Sequence, residues 1–242
     1  MQKQGKLYTI FTLIFFLFIF ESALLKIPST VESVWITGAQ TGTSIGSDTT
    51  TLPSDGSPST KRIALTFDDG PHPEYTAKLL DGLRERNIRA TFFVIGENAG
   101  RYPELLKRMS EEGHCIGNHT YSHVQLSCVT TETALEEIAR TNRIIKEATG
   151  RDVLYLRPPY GSLSKELSSR IGLTPVLWTI DPRDWSVLNT DSVAKHILAR
   201  ADDGDIILLH DIFETSVDAA FIVIDALQEE GFMFVTVEEM LQ

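Results

Sequence analysis

Two adjacent carboxylates, Asp68 and Asp69, follow the apolar run at residues 63–67, and Gly70 and Pro71 come directly after them. Neighbouring aspartates repel each other when both are ionised, and neither is buried easily without a partner. Aspartate followed by glycine favours a hairpin turn, which is the simplest interpretation of this stretch taken alone. A bound cation would relieve the repulsion, so the pair also predicts a site where one carboxylate binds a metal and the other stays free.

Two histidines four residues apart, His119 and His123, could supply nitrogen ligands to one metal ion. On an extended strand such residues lie about 13 Å apart, so the chain must coil between them if both bind. Otherwise they are two partly exposed histidines in a loop. A catalytic metal takes three protein ligands and keeps one open position, which the histidines and one aspartate would satisfy. A structural zinc site with Cys115 and Cys128 is the alternative, but it lacks the short Cys-x-x-Cys pairs typical of such sites.

Three further polar clusters follow apolar runs later in the chain, and they read RPPYG at 157–161, DPRDW at 181–185 and HD at 210–211. Arginine is always charged, so Arg157 could hold an aspartate ionised through a bidentate pair. A histidine beside a carboxylate could carry a proton near neutral pH. Each cluster alone is equally compatible with a surface ion pair, a rigid loop or a structural histidine.

Seven apolar runs alternate with amphipathic helical patterns, and the runs lie at 62–67, 90–96, 114–118, 153–158, 174–180, 205–209 and 232–237. The clearest helical patterns cover 76–86, 131–148 and 216–230. This alternation predicts an α/β fold with a parallel sheet. No glycine-rich nucleotide loop follows the first run, which favours a distorted β/α barrel over an open doubly wound sheet. Active sites of such barrels lie at the carboxyl ends of the strands, so the polar clusters should converge there.

The motifs TFDDG, HTYSH, RPPYG, DPRDW and LLHD occur in the order and spacing typical of the polysaccharide deacetylases, the NodB-type carbohydrate esterase family four. The resemblance covers the chain from about residue 61 to residue 242 and implies a distorted seven-stranded β/α barrel. It further implies a metal-dependent hydrolase that removes acetyl groups from chitin-like, peptidoglycan or xylan polymers.

The resemblance implies one divalent metal ion, which could be zinc, cobalt or a similar ion since nitrogen and carboxylate ligands suit several. By motif match its ligands are Asp69, His119 and His123. Asp68 resembles the general base that takes a proton from the attacking water. Arg157 would keep this base ionised and oriented.

The remaining implied roles concern the substrate and its leaving group. The backbone N–H of Tyr160, presented by an extended proline loop, would stabilise the developing oxyanion. His210 resembles the general acid that protonates the departing amine, with Asp184 aligning it. Trp185 and Leu208 would line the pocket for the sugar and acetyl groups, although buried tryptophan and leucine are ordinary core residues.

We expect peptidoglycan N-acetylglucosamine as the substrate, because an exported protein meets the cell wall first. Chitooligosaccharide or another acetylated glycan is the alternative, and the same chemistry could hydrolyse another amide or imide. A wall-anchored carbohydrate-binding protein without catalysis is the alternative of another class. The intact Asp68, His210 and Arg157 argue against it, since binding alone requires none of them.

The amino-terminal region predicts export from the cytoplasm. Lys3 and Lys6 precede the uncharged apolar run at residues 7–20, so residues 1–25 are either a cleaved signal peptide or an anchor that attaches to the membrane through residues 7–25. Residues 26–60 are predicted to be a flexible linker, with Ser, Thr and Gly concentrated from residue 38 onward, and 61–242 form the catalytic domain.

Composition and cysteine content complete the expectations. The formal net charge of −11 argues against a nucleic-acid partner, since binding to phosphate requires a basic surface. We expect a monomer. A bridge between Cys115 and Cys128 is permitted in an exported domain, but Cys115 lies in a predicted buried strand, so we expect two free thiols.

Overall fold

A computed structural model describes residues 60–242 of the protein, in which parallel strands form a central sheet. The strands are β1 (Arg62–Asp68), β2 (Thr91–Val94), β3 (Cys115–Asn118), β4 (Tyr155–Leu156), β5 (Thr174–Pro175), β6 (Ile206–His210) and β7 (Met233–Val235). Each of the seven predicted runs therefore contributes a strand. The sheet order is β5-β4-β3-β2-β1-β6, and β7 also pairs with β1. Every neighbour of β1 is parallel to it, so the hairpin interpretation of Asp68–Gly70 is wrong.

Helices connect the strands in the order that the alternating pattern predicts. They are α1 (Tyr75–Glu85), α2 (Gly96–Arg101), α3 (Pro103–Glu111), α4 (Thr131–Thr149), α5 (Lys165–Ser168), α6 (Asp184–Val187), α7 (Thr190–Leu198), α8 (Glu214–Glu229) and α9 (Val237–Met240). The predicted patterns correspond to α1, α4 and α8. Among residues 60–242 no helix is long and apolar enough to cross a membrane.

The core explains why β1 reads as a continuous apolar run. Every residue of β1 after Arg62 is buried, because helices cover one face of the curved sheet and the barrel interior fills the other. Leu79, Leu80 and Leu83 form the buried face of α1 and join the same core cluster as Ile63. Burial of each such side chain contributes about 1.5–3 kcal/mol, so this packing fixes β1 and the residues at its carboxyl end.

The sheet curves into a half-barrel, and the segment that follows β5 pairs with β6, the strand at the other end of the sheet order. Ile180 pairs with Ile207 in an isolated parallel bridge, and Leu208 donates its N–H to the Ile180 carbonyl at 2.9 Å. β4 and β5 are shorter than the predicted runs at 153–158 and 174–180. β4 pairs with β3 only at Leu156, opposite Asn118, and with β5 at two positions, so the ladder on this side of the sheet is short.

The two cysteines are free, as the sequence predicts. Cys115 lies in β3, where burial raises the pKa of its thiol to about 11, so it remains a protonated, unreactive group. Cys128 ends a short 3-10 turn, Leu126–Cys128, and is exposed. The predicted export segment at 1–25 and linker residues 26–59 lie outside the described residues, so both remain predictions.

Candidate active site and metal centre

The polar clusters converge at the carboxyl ends of the strands. Parallel pairing of β1 with β6 sets Asp68 directly beside His210, the last residues of their strands. A cleft of about 450 Å³ opens above them. Predicted site residues that line it are Asp68, Asp69, His119, His123, Tyr160, Trp185, Leu208 and His210. Arg157 and Asp184 are fully buried, and each contacts one of these residues.

Three side chains at the base of the cleft could hold a metal ion. Oδ1 of Asp69 lies 3.4 Å from Nε2 of His119 and 3.4 Å from Nε2 of His123. This oxygen is buried and makes no hydrogen bond within residues 60–242. A buried carboxylate oxygen without a donor is costly, and a cation shared with the two imidazoles would satisfy it. The residues therefore fit a divalent metal.

Backbone contacts orient the ligands before any metal binds. His119 Nδ1 lies 2.7 Å from the carbonyl oxygen of Arg157 and must donate to it, so in the neutral imidazole Nε2 is the acceptor nitrogen, and it faces Asp69. Asp69 adopts a left-handed backbone with φ of 73°, and its carbonyl accepts a hydrogen bond from the Asn98 side chain at 2.9 Å. These contacts fix the direction in which two of the three ligands point.

The chain coils between the two histidines, as binding to one ion requires. Thr120 and His123 adopt positive φ values of 64° and 59°, and the imidazole centroids lie 5.0 Å apart. The turn is thus made by left-handed residues rather than by a helix. Burial lowers the pKa of His123, against the opposing charge of Asp69, which favours the neutral imidazole that a metal requires.

The donor set distinguishes this group from a structural zinc site. Two imidazole nitrogens and one carboxylate oxygen lie within 4.8 Å of one another, and the group faces the cleft. Among residues 60–242 neither Cys115 nor Cys128 joins a three-ligand cluster. Three ligands beside an open cleft form the arrangement of a catalytic centre.

Asp68 is held by the buried guanidinium of Arg157. Nη1 of Arg157 donates to Asp68 Oδ1 at 2.9 Å and to Thr66 Oγ1 at 2.6 Å. The predicted bidentate pair is wrong, because Nε and Nη2 instead donate to the carbonyls of Val176 and Leu177. The arginine thereby ties Asp68 to the chain that follows β5, and Asp68 Oδ2 remains directed toward the metal ligands, 3.7 Å from His119 Nε2.

His210 forms a second charged pair beside Asp68. Its Nδ1 lies 2.8 Å from Oδ1 of Asp184, and its backbone N–H donates to Oδ2 of the same carboxylate at 2.8 Å. Burial alone would lower the pKa of His210, but Asp184, together with Asp68 and Asp69, raises it to about 9. Nε2 therefore carries a proton at neutral pH.

Tyr160 differs from the predicted extended loop. Pro158 is extended, but Pro159–Gly161 form a 3-10 turn in which Tyr160 has φ of 60°. Its ring is 68% exposed and lies 4.9 Å from the His123 ring, between centroids. The turn places this residue at the rim of the cleft.

Four residues of the cleft wall are additional to the predicted set, namely Pro158, Trp178, Asp181 and Phe213. Trp178 lies between β5 and Ile180, where the sequence indicates only a buried strand. Phe213 comes three residues after His210, a spacing that could have indicated it. Trp185 is 53% exposed and Leu208 is buried, so one wall is an open aromatic surface and the other is part of the core.

Comparison with known proteins gives consistent matches. A family model described as polysaccharide deacetylase matches residues 55–176. A peptidoglycan-N-acetylglucosamine deacetylase of Listeria monocytogenes is 41% identical over 180 residues, 74% of this chain and 39% of that protein. A peptidoglycan-N-acetylmuramic acid deacetylase of Bacillus subtilis is 42% identical over 183 residues, 76% of this chain and 39% of that protein.

Other matches extend over most of the compared chain. The solved structure of the B. subtilis peptidoglycan deacetylase PdaC superimposes with a TM-score of 0.74 at 42% identity, covering 75% of this chain and 90% of that one. A chitooligosaccharide deacetylase of Rhizobium leguminosarum is 38% identical over 189 residues, 71% of this chain and 88% of that protein. The chain spans about two fifths of the length of the Listeria and Bacillus relatives.

Proposed function

Because this chain belongs to the polysaccharide deacetylase family, we propose that it hydrolyses the N-acetyl groups of N-acetylglucosamine in cell-wall polysaccharide and releases acetate. The observation that carries the proposal is that Asp68 and His210 lie side by side and line the same cleft as the Asp69–His119–His123 group. A base, an acid and a metal set at one point are the parts that amide hydrolysis requires.

We assign the metal to Asp69, His119 and His123. Zinc is our first choice and cobalt or a similar ion the alternative. When bound, the cation would polarise the acetyl carbonyl and lower the pKa of water in the cleft. The wild-type side chains are oriented for this before any ion binds, since His119 Nδ1 donates to the Arg157 carbonyl and Nε2 faces Asp69.

The protein side chains then move two protons. Asp68, which accepts a hydrogen bond from Arg157, would take a proton from the water that attacks the acetyl carbon. The N–H of Tyr160 would donate to the oxyanion as it develops. Protonated His210 gives its proton to the sugar nitrogen as the C–N bond breaks, so the products are acetate and a free amine. Trp185 and Leu208 would line the part of the cleft that contacts the sugar and the acetyl methyl group.

The similar relatives are named for more than one glycan. Relatives of almost equal identity are named for N-acetylglucosamine and for N-acetylmuramic acid of peptidoglycan. The Rhizobium relative supports chitooligosaccharide as a second candidate substrate. We place peptidoglycan first, because we also propose that residues 1–25 export the chain and that residues 7–25 could keep it at the membrane. We propose that it acts as a monomer.

The test is acetate release by the full chain from purified peptidoglycan, from N-acetylglucosamine oligomers and from acetylated xylan. We expect release from the first two, loss of release with a chelator, and recovery when zinc or cobalt is restored. Binding to these glycans without any acetate release would support the non-catalytic carbohydrate-binding protein instead. Acetate release from xylan alone would show that the substrate is acetylated xylan and not the proposed N-acetylglucosamine polymer.

The pair of His210 and Asp184 predicts a pH dependence. Burial lowers the pKa of His210 while the charges of Asp184, Asp68 and Asp69 raise it to about 9, so replacing Asp184 with asparagine should lower this pKa. A general acid loses activity as pH rises through its pKa, so the alkaline limb of kcat/KM should move to lower pH in Asp184→Asn. A bound cation would offset the charge of Asp69, so we expect the wild-type limb at or below pH 9. An unmoved limb in the variant would remove His210 from this role.

A further inference from the structure

The loop that carries both histidine ligands is held by a carboxylate outside all the sequence motifs. Oε2 of Glu137, on α4, accepts hydrogen bonds from the backbone N–H groups of Tyr121 at 2.9 Å and Ser122 at 2.8 Å. Oε1 accepts from the hydroxyl of Ser122 at 3.0 Å. Both oxygens of this side chain are thus committed to the segment between His119 and His123.

The loop needs such a partner because its backbone is strained. Thr120 and His123 both lie in the left-handed region, which non-glycine residues occupy only when the surroundings hold them there. Two successive N–H groups that point at one oxygen form an anion-binding concavity. Hydrogen bonds to a charged acceptor are roughly twice as strong as neutral ones, so a carboxylate suits this position.

The opposite side of the loop is bound by the start of α2. The N–H groups of Gly96 and Glu97 donate to the carbonyls of Thr120 and Tyr121, each at 2.9 Å. This contact and Glu137 together hold Tyr121 from both directions. The Arg140 guanidinium, one turn along α4, covers the ring of Tyr121 at 3.4 Å from its centroid.

We propose that Glu137 is a positioning residue that sets the affinity of the site for its metal ion. This inference rests on the metal site of the proposed function. Without the carboxylate the segment 120–122 relaxes toward ordinary backbone angles, and His123, at the end of that segment, loses its position opposite Asp69 Oδ1. Asp69 and His119 keep their separate contacts with Asn98 and the Arg157 carbonyl.

The experiment measures zinc affinity of the full chain by competition with a chromophoric chelator. Replacing an outer partner of a metal ligand typically weakens metal binding about 10–100-fold, and we expect this for Glu137→Ala. Glu137→Gln keeps the shape of the side chain without its charge and should recover part of the loss. Glu136→Ala is the matched control, because Glu136 is the preceding, exposed residue of α4, and it should bind zinc as the wild type does.

A measurement on the metal-free protein separates positioning from general destabilisation. Amide hydrogen exchange at Tyr121 and Ser122 should be at least about tenfold faster in Glu137→Ala than in Glu136→Ala, since each amide loses its acceptor. Wild-type zinc affinity in Glu137→Ala would overturn the inference, and so would weakened affinity with unchanged exchange at both amides. Either result leaves acetate release by the wild type standing. A wild type that binds no zinc and no cobalt would overturn the proposed metal site and this inference together.

Discussion

Replacing His123 with alanine should leave the domain folded, empty the metal site and reduce acetate release to background. His123 lines the cleft and is partly exposed, so its loss removes a ligand without opening a cavity in the core. Two remaining ligands, Asp69 and His119, bind a divalent ion far more weakly than three. The measurements are the metal content per chain after dialysis, the melting temperature and the rate of acetate release.

The matched control is His196→Ala, a histidine on α7 away from the cleft, which should retain the metal and the activity. His119→Ala should also lose the metal. Because the buried His119 ring donates to the Arg157 carbonyl, the melting temperature of His119→Ala should be lower than that of His123→Ala. A His123→Ala protein with one metal ion per chain and normal turnover would contradict the assignment of the three ligands.

Asp68→Asn should retain the metal and lose most of the activity. The substitution removes a proton acceptor but no proposed ligand, and loss of a general base typically costs about 10²–10⁴-fold in rate. Asp69→Asn should instead release the metal, because Asp69 Oδ1 is the oxygen shared by both imidazoles. Metal content therefore separates two adjacent residues of the same type. Equal metal loss in both variants would refute this division of roles.

The stability of Asp68→Asn has to be measured beside its activity. Arg157 is fully buried, and removing the charge of its partner leaves an uncompensated buried cation, which costs about 3–5 kcal/mol when a pair is broken outright. The asparagine oxygen can still accept from Nη1, so we expect a smaller loss. Rates are compared per folded protein, at a temperature well below both melting transitions.

The sequence predicts the strands well because their burial is continuous. β1 and β6 carry unbroken apolar runs that no other environment accommodates. The lengths of β4 and β5 are less predictable. A residue is part of a strand only where the neighbouring strand extends alongside it and supplies hydrogen-bond partners. β4, for example, pairs with β3 at a single position, Leu156 opposite Asn118.

The sequence predicts those site residues that lie at or just after the carboxyl end of a strand. Asp68, Asp69, His119, His123 and His210 all follow or end apolar runs, and the fold brings them together. Glu137 could not be predicted in this way, since its approach to Tyr121 depends on how α4 packs against the loop. The single Arg157–Asp68 hydrogen bond was unpredictable for the same reason, because two competing acceptors come from a distant segment.

The pairing of β1 has a consequence for how the chain is made. β1 is among the first parts of the domain to be synthesised, yet its amino-terminal half pairs with β7, close to residue 242, and its full carboxyl half pairs with β6. Contacts between such distant segments form slowly and late in folding. β1, which ends at Asp68, therefore lacks its full set of neighbouring strands until β7 has been translated. A premature stop codon before the segment that encodes β7 should act as a null allele rather than produce a weakened protein.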